Sequence, residues 1–98
     1  MYKMFEVGDF VRIIDQGFSY SAYSDWGDKY LNQFSRMTPP KDSICEVIAV
    51  APHNRRQQDI IYGVRDQDGY EYIMGFRGIK LVKKKNYAED FFGDLFQI

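Results

Sequence analysis

IIYGVRDQDGYEYIMGFRGIKLV, residues 60–82, reads as a β-hairpin, one tight turn and a closing strand. Asp68-Gly69 between two alternating apolar runs is a hairpin signal. Two registers compete. A two-residue loop of Asp68 and Gly69 sets Val64 opposite Ile73, whereas a three-residue loop of Gln67, Asp68 and Gly69 pairs Asp66 with Tyr70. The second is favoured because it segregates the faces better. Ile60, Tyr62, Val64, Tyr72, Met74 and Phe76 share one side, and Ile61, Gly63, Arg65, Glu71, Ile73 and Gly75 share the other. A slip of one residue would exchange the two sides. Arg65 then faces Glu71, an opposite-charge pair, and Gly69 takes the left-handed position that closes a type I turn with a bulge. Ile61 and Ile73 sit on the second side and need a cover.

Outward from the hairpin, Ile79 to Val82 is the last strand, and Phe76-Arg77-Gly78 before it suits a single tight turn. Ile44 to Ala51, ICEVIAVA, is rich in β-branched residues and apolar on both faces, as a buried strand is. Residues 52–58, PHNRRQQ, form a polar loop. Phe5 to Ile14 reads as the first strand, with Val7, Val11 and Ile13 alternating with Asp9 and Arg12 and a bend at Gly8-Asp9. Between these two strands lies a long irregular stretch, residues 15–43. Trp26, Tyr30 and Phe34 recur there at a spacing of four, a short helical stripe. Ser24 or Asp25 is placed to cap it, Gly27 weakens it, and Met37-Thr38-Pro39-Pro40 ends it. A connection of that length inside a small domain is commonly functional.

The chain of 98 residues fits one domain, and its aromatic fraction of 17% is high. The net charge of −1 gives no global field for nucleic acid, but the distribution is uneven. All 13 Lys and Arg precede Tyr87, whereas residues 87–98 hold Glu89, Asp90 and Asp94 and no base. Lys83-Lys84-Lys85 forms a basic hinge before that tail. Asn86 and Glu89 have capping-box spacing. Tyr87, Ala88, Phe91, Phe92, Leu95 and Phe96 make one apolar stripe on a short helix, interrupted by Gly93. Cys45 is the lone cysteine, which excludes an internal disulfide and a cysteine-based zinc site. The opening MYKMFEVGD lacks the basic-then-apolar order of a signal peptide. No apolar run approaches the ~20 residues of a membrane helix. A cytoplasmic location without membrane attachment is the expectation.

Strand, long loop, strand, loop, hairpin, turn, short strand is the order of an SH3-like barrel, which residues 5–82 resemble. The likeness rests on VGDFVRI at 7–13, the long first loop, and DGYEY with GFRGIKLV at 68–82. The expected fold is therefore mainly β: a five-stranded SH3-like barrel over residues 1–82, its long first loop carrying a short helix. A basic hinge and an acidic-aromatic C-terminal helix or tail follow over 83–98. The chain is also similar to small SH3-like proteins encoded by phages and other mobile elements. Its VGD-x-V-x-I opening occurs in nucleic-acid-associated barrels of the KOW type, where it mainly builds the fold. The acidic first-loop cluster and the Trp after the second strand that mark polyproline-binding SH3 domains are not evident.

Enzyme chemistry finds little footing. His53 is the single histidine and lies beside Arg55 and Arg56, while Cys45 lies in a buried strand as a small hydrophobe. Gly75-Phe76-Arg77-Gly78 links strands, not the helices of a KH-type clamp. No catalytic residue, metal site or cofactor is expected. Three candidate surfaces remain. Tyr20, Tyr23, Trp26 and Tyr30 of the first loop suit a protein interface, with Tyr20, Tyr23 and part of Trp26 exposed. The competing role for Trp26, Tyr30 and Phe34 is to plug an open end of the barrel. Phe91, Phe92, Leu95 and Phe96 of the tail, in DFFGDLF, look like the acidic-aromatic tails with which replication proteins engage partners. The competing role is cover for Ile61 or Ile73. Arg55, Arg56, Lys83, Lys84 and Lys85 are the candidates for a phosphate backbone. The resulting expectation is a non-enzymatic adaptor or inhibitor, encoded by a phage or mobile element, that binds a host or phage protein. The alternative is a nucleic-acid-binding barrel. Either is compatible with a monomer or a homodimer.

Overall fold

A computed structural model of the chain describes residues 5–53 and 59–84. It is mainly β. Five strands, β1 (Phe10–Ile13), β2 (Ile44–Val50), β3 (Ile61–Arg65), β4 (Glu71–Gly75) and β5 (Ile79–Lys83), form one antiparallel sheet in the order β4-β3-β2-β1-β5. One helix, α1 (Ser24–Tyr30), and three 3-10 turns complete the described elements. The sheet is not closed: β4 and β5 are its two ends, joined by the 3-10 turn Phe76–Gly78 with no ladder between them. The closed barrel expected from the element order is not what the strand pairing gives. No helix of the described residues is long and apolar enough to cross a membrane.

The hairpin has the three-residue register. Arg65 faces Glu71, Val64 faces Tyr72 and Tyr62 faces Met74, and the Asp66 amide donates to the Tyr70 carbonyl at 2.9 Å. The Asp66 side chain fixes the turn. Its Oδ1 accepts from the amides of Asp68 and Tyr70 at 3.0 and 2.9 Å, and its Oδ2 accepts from the Tyr72 hydroxyl at 3.2 Å. Gly69, at φ +91°, supplies the left-handed residue that the loop needs.

β1 is shorter than its sequence pattern. The Glu6 carbonyl accepts from the Asp9 amide and the Asp9 carboxylate from the Glu6 amide, while Gly8 turns at φ +102°. The chain bends there, so the regular strand begins at Phe10, while Gly8 and Asp9 still pair with Val47 through the Gly8 amide to the Val47 carbonyl and the Val47 amide to the Asp9 carbonyl, both at 2.8 Å. Phe5 still enters the core, edge-on to Tyr62 with ring centroids 5.4 Å apart.

Both faces of the hairpin are buried. The inner face, with Tyr62, Val64, Tyr72 and Met74, packs on Val11, Ile13, Cys45, Val47 and Ile79. The outer face is covered by the long first connection. Ile61 and Ile73 pack with Tyr23, Leu31 and Phe34, each isoleucine contributing about 1.5–3 kcal/mol by full burial. Glycines set how closely this insert sits. The Phe34 ring lies directly on Gly63 and the Tyr23 ring on Gly75, where a Cβ would collide with either ring. A Cβ on Gly27 would come within 2.9 Å of Ile73 Cδ1. Gly27, unfavourable for helix propensity, is what lets α1 lie against the sheet. The insert also covers the outer edge of β4 through bridges Ser19–Met74 and Ser35–Tyr72, a standard protection for an edge strand.

Gly63→Ala is expected to destabilise the protein by about 1–3 kcal/mol in urea unfolding, as overpacking does. In a Phe34→Ala background the same change should cost less, because the atom it meets is gone. Equal costs in the two backgrounds would show that the glycine is not a seat for that ring.

Candidate functional site

The insert runs from Asp15, whose Oδ1 accepts the Gly17 amide at 2.9 Å, through the 3-10 turns Gln16–Phe18 and Tyr20–Ala22 into α1. Neither Ser24 nor Asp25 caps α1. Tyr23 occupies the cap position without a side-chain hydrogen bond, and Asp25 and Lys29 lie in the first and last turns, where their charges suit the helix dipole.

The four loop aromatics separate. Tyr23 is buried, so its expected exposure is wrong: the ring is needed to cover Gly75 and the outer face of the hairpin. Phe34 is likewise buried on Gly63. Tyr20 and Trp26 are half-buried, and Tyr30 is 38% exposed. Trp26 is held by its Nε1, which donates to the Pro52 carbonyl at 2.8 Å and ties α1 to the end of β2. Its ring stacks at a tilt on Tyr30, centroids 4.6 Å apart, with the Lys29 ammonium 5.8 Å from the Trp26 ring and 5.3 Å from the Tyr30 ring. Beside them the Tyr20 hydroxyl donates to both Asp28 oxygens at 2.9 and 3.0 Å, a bond that raises the phenol's pKa. The Arg36 guanidinium lies 5.4 Å from the Tyr20 ring and 3.7 Å from Asp28. The outer side of the insert is thus an aromatic patch with charged side chains beside it.

Beneath it lies a polar contact with no clear sequence signal. Asp59, just ahead of β3, is buried, and Arg77 Nη2 stands 3.0 Å from its Oδ1. That oxygen lacks an aligned hydrogen bond, so the pair is held by charge more than by direction. Arg77 also spans the Phe18 and Phe76 rings, at 5.9 and 5.5 Å. Burial pushes the Tyr23 phenol well above the ordinary tyrosine range, and the Asp59 charge beside it adds to the rise.

Of the basic candidates, Lys83 and Lys84 are among the described residues. Lys84 lies 3.3 Å from Glu6 and 3.7 Å from Asp9, so acidic neighbours offset its charge. Lys83 ends β5 opposite Phe10. Arg55, Arg56 and Lys85 fall outside the described residues, as do Phe91, Phe92, Leu95 and Phe96. A depression of about 280 Å³ between residues 40–44 and the hairpin tip is lined by Asp42, Asp66 and Asp68. The Asp66 carboxylate there is already engaged by the turn. Among the described residues no group of three His, Cys, Asp or Glu is placed to hold a metal ion. Cys45 is buried, and burial pushes its thiol up, away from nucleophilic use.

The raised phenol has a testable sign. Between its unfolded and folded pKa values the native state keeps a proton that the unfolded chain has lost, so Tyr23 stabilises fully below pH ~10 and loses that contribution as pH rises further. Tyr23→Phe should therefore flatten the fall in unfolding free energy above pH ~10, measured against wild type by urea titration. Parallel curves would mean that the hydroxyl is not sequestered.

No protein-family model, curated protein or solved structure matches this chain.

Proposed function

We propose that the chain is a non-catalytic protein-binding domain, of adaptor or inhibitor type, on an SH3-like arrangement of strands. Its contact surface is the outer side of the first-loop insert. The observation that carries this reading is the Trp26-Lys29-Tyr30 stack, with Tyr30 38% exposed on a helix whose other side is seated on the sheet. Exposed aromatics held on a packed base supply contact area while losing little side-chain entropy on binding, and Trp, Tyr and Arg are the residue types that dominate interface energetics. Tyr20, Asp28 and Arg36 add polar groups beside it, linked by the Tyr20–Asp28 hydrogen bond and the Arg36–Asp28 pair. The nucleic-acid alternative has less support, because Lys84 already faces Glu6 and Asp9.

Tyr30→Ala and Lys29→Glu should each leave the fold intact and weaken capture of the partner at least about tenfold, the scale of a hot-spot loss. The measurement is a pull-down with the full chain after nuclease treatment, followed by titration of the retained protein against both variants. Undiminished binding by both would remove the insert from the interface. Retention of nucleic acid alone, with steep salt dependence, would favour the basic residues instead.

A further inference from the structure

The insert covers only the β3–β4 half of the outer sheet face. The other half, on β1 and β5, carries an arrangement that no residue of the described chain completes. Arg12 on β1 and Lys80 on β5 are directly opposite each other in the ladder. Like charges so placed repel. Among the described residues neither has an ion-pair partner, because Glu46, on neighbouring β2, is engaged by Arg65 at 3.7 Å. Around this pair lie apolar side chains left in water. Phe10 is 39% exposed, Ile14 40% and Val82 50%. The register shift between Phe10 and Val11 accompanies this exposure at the β5 end, where Phe10 faces Lys83. Two adjacent cations ringed by exposed apolar groups fit a segment that brings carboxylates and large apolar side chains together.

The chain itself contains such a segment. Residues 87–98 hold Glu89, Asp90 and Asp94 with no base, interleaved with Phe91, Phe92, Leu95 and Phe96. They follow β5 after a three-residue spacer, residues 84–86, which spans at most about 11 Å. A four-residue strand such as β1 is about 13 Å long, so the segment can reach the whole face from its tether. Tethering at this distance raises the effective concentration to the millimolar range, which favours a contact within the chain over one between chains.

We propose that the acidic-aromatic segment 87–98 docks within its own chain on the outer face of β1 and β5, its carboxylates answering Arg12 and Lys80 and its aromatic residues covering Phe10, Ile14 and Val82. This surface is separate from the insert patch, and the two stand or fall independently.

The test uses the full chain. A nitroxide label on Gln97→Cys leaves buried Cys45 unmodified and should strip intensity from the amide signals of Phe10, Arg12, Lys80 and Val82. The Arg12→Glu, Lys80→Glu double variant should restore those intensities, and adding Glu89→Lys and Asp90→Lys to it should bring the loss back. Dispersed amide spectra of each variant check that the fold survives. Broadening spread evenly over the surface, or centred on the insert, would overturn the proposal. So would broadening that appears only when labelled and isotope-enriched chains are mixed, which would make a second copy the occupant. Unbroadened amides whose Arg12 and Lys80 signals shift on addition of inorganic phosphate would assign the cations to an anion ligand and also overturn it.

Discussion

A hairpin that is apolar on both sides cannot leave either side in water. That constraint organises this small protein. The inner side is satisfied by the curl of the sheet around Val11, Val47 and Ile79. The outer side, with Ile61 and Ile73, is satisfied only because the chain spends about thirty residues between β1 and β2 on a cover. A seven-residue helix is too short to be stable alone, so α1 owes its existence to the face it covers. The dependence is mutual, since removing either partner would expose the other. Glycines at the contact decide the distance of approach, and distance decides whether rings such as Phe34 and Tyr23 fill the gap or leave voids.

The same packing bears on the recognition role proposed for this surface. A free loop rich in tyrosine would have to be ordered by its partner, at a cost in conformational entropy. Here the ordering is done by folding. Tyr23, Leu31 and Phe34 point inward and fix the backbone, Trp26 is tied to Pro52, and Asp59 with Arg77 closes the junction. Tyr30 and Lys29 are then displayed from a base that does not have to reorganise. The aromatic excess divides into residues that build the platform and residues that stand on it. Tyr23 and Phe34 belong to the first group and Tyr30 to the second, while Trp26 serves both.

The local features were legible in the sequence, and the features that depend on distant contacts were not. The hairpin register follows from face segregation and from Asp-Gly chemistry, both contained in a dozen adjacent residues, and the pairing of Arg65 with Glu71 agrees with it. The short helix was legible from Trp26 and Tyr30, but Phe34 of the same stripe lies beyond its end, and its cap was not legible, because Tyr23 occupies the cap position. Gly27 read as a weakness when propensity was the only criterion. Its value as a point of close approach appears once Ile73 is known to lie opposite. Gly63 and Gly75 likewise gave no sign that they seat rings. The Asp59–Arg77 pair joins residues eighteen apart through a fold-level contact, and neither belongs to a motif. Sheet closure depends on edge geometry, which alternation does not encode.

The two halves of the outer face are therefore in different conditions, and the charges show it. On the covered half, Arg65 has Glu46 and Glu71 within ion-pair distance, so its cation is answered locally. On the other half, Arg12 and Lys80 stand side by side without an ion-pair partner among the described residues. A purely structural face of this size would gain from replacing one of the two by a carboxylate, which would turn a repulsion into a cross-strand attraction. Keeping both positive has one physical advantage. It discourages apolar Phe10, Ile14 and Val82 from associating with arbitrary apolar surfaces, because contact would desolvate two unpaired cations. An apolar segment that carries its own carboxylates escapes that penalty. The face thus rejects what is merely greasy and admits what is greasy and acidic, and the last twelve residues of the chain have that composition.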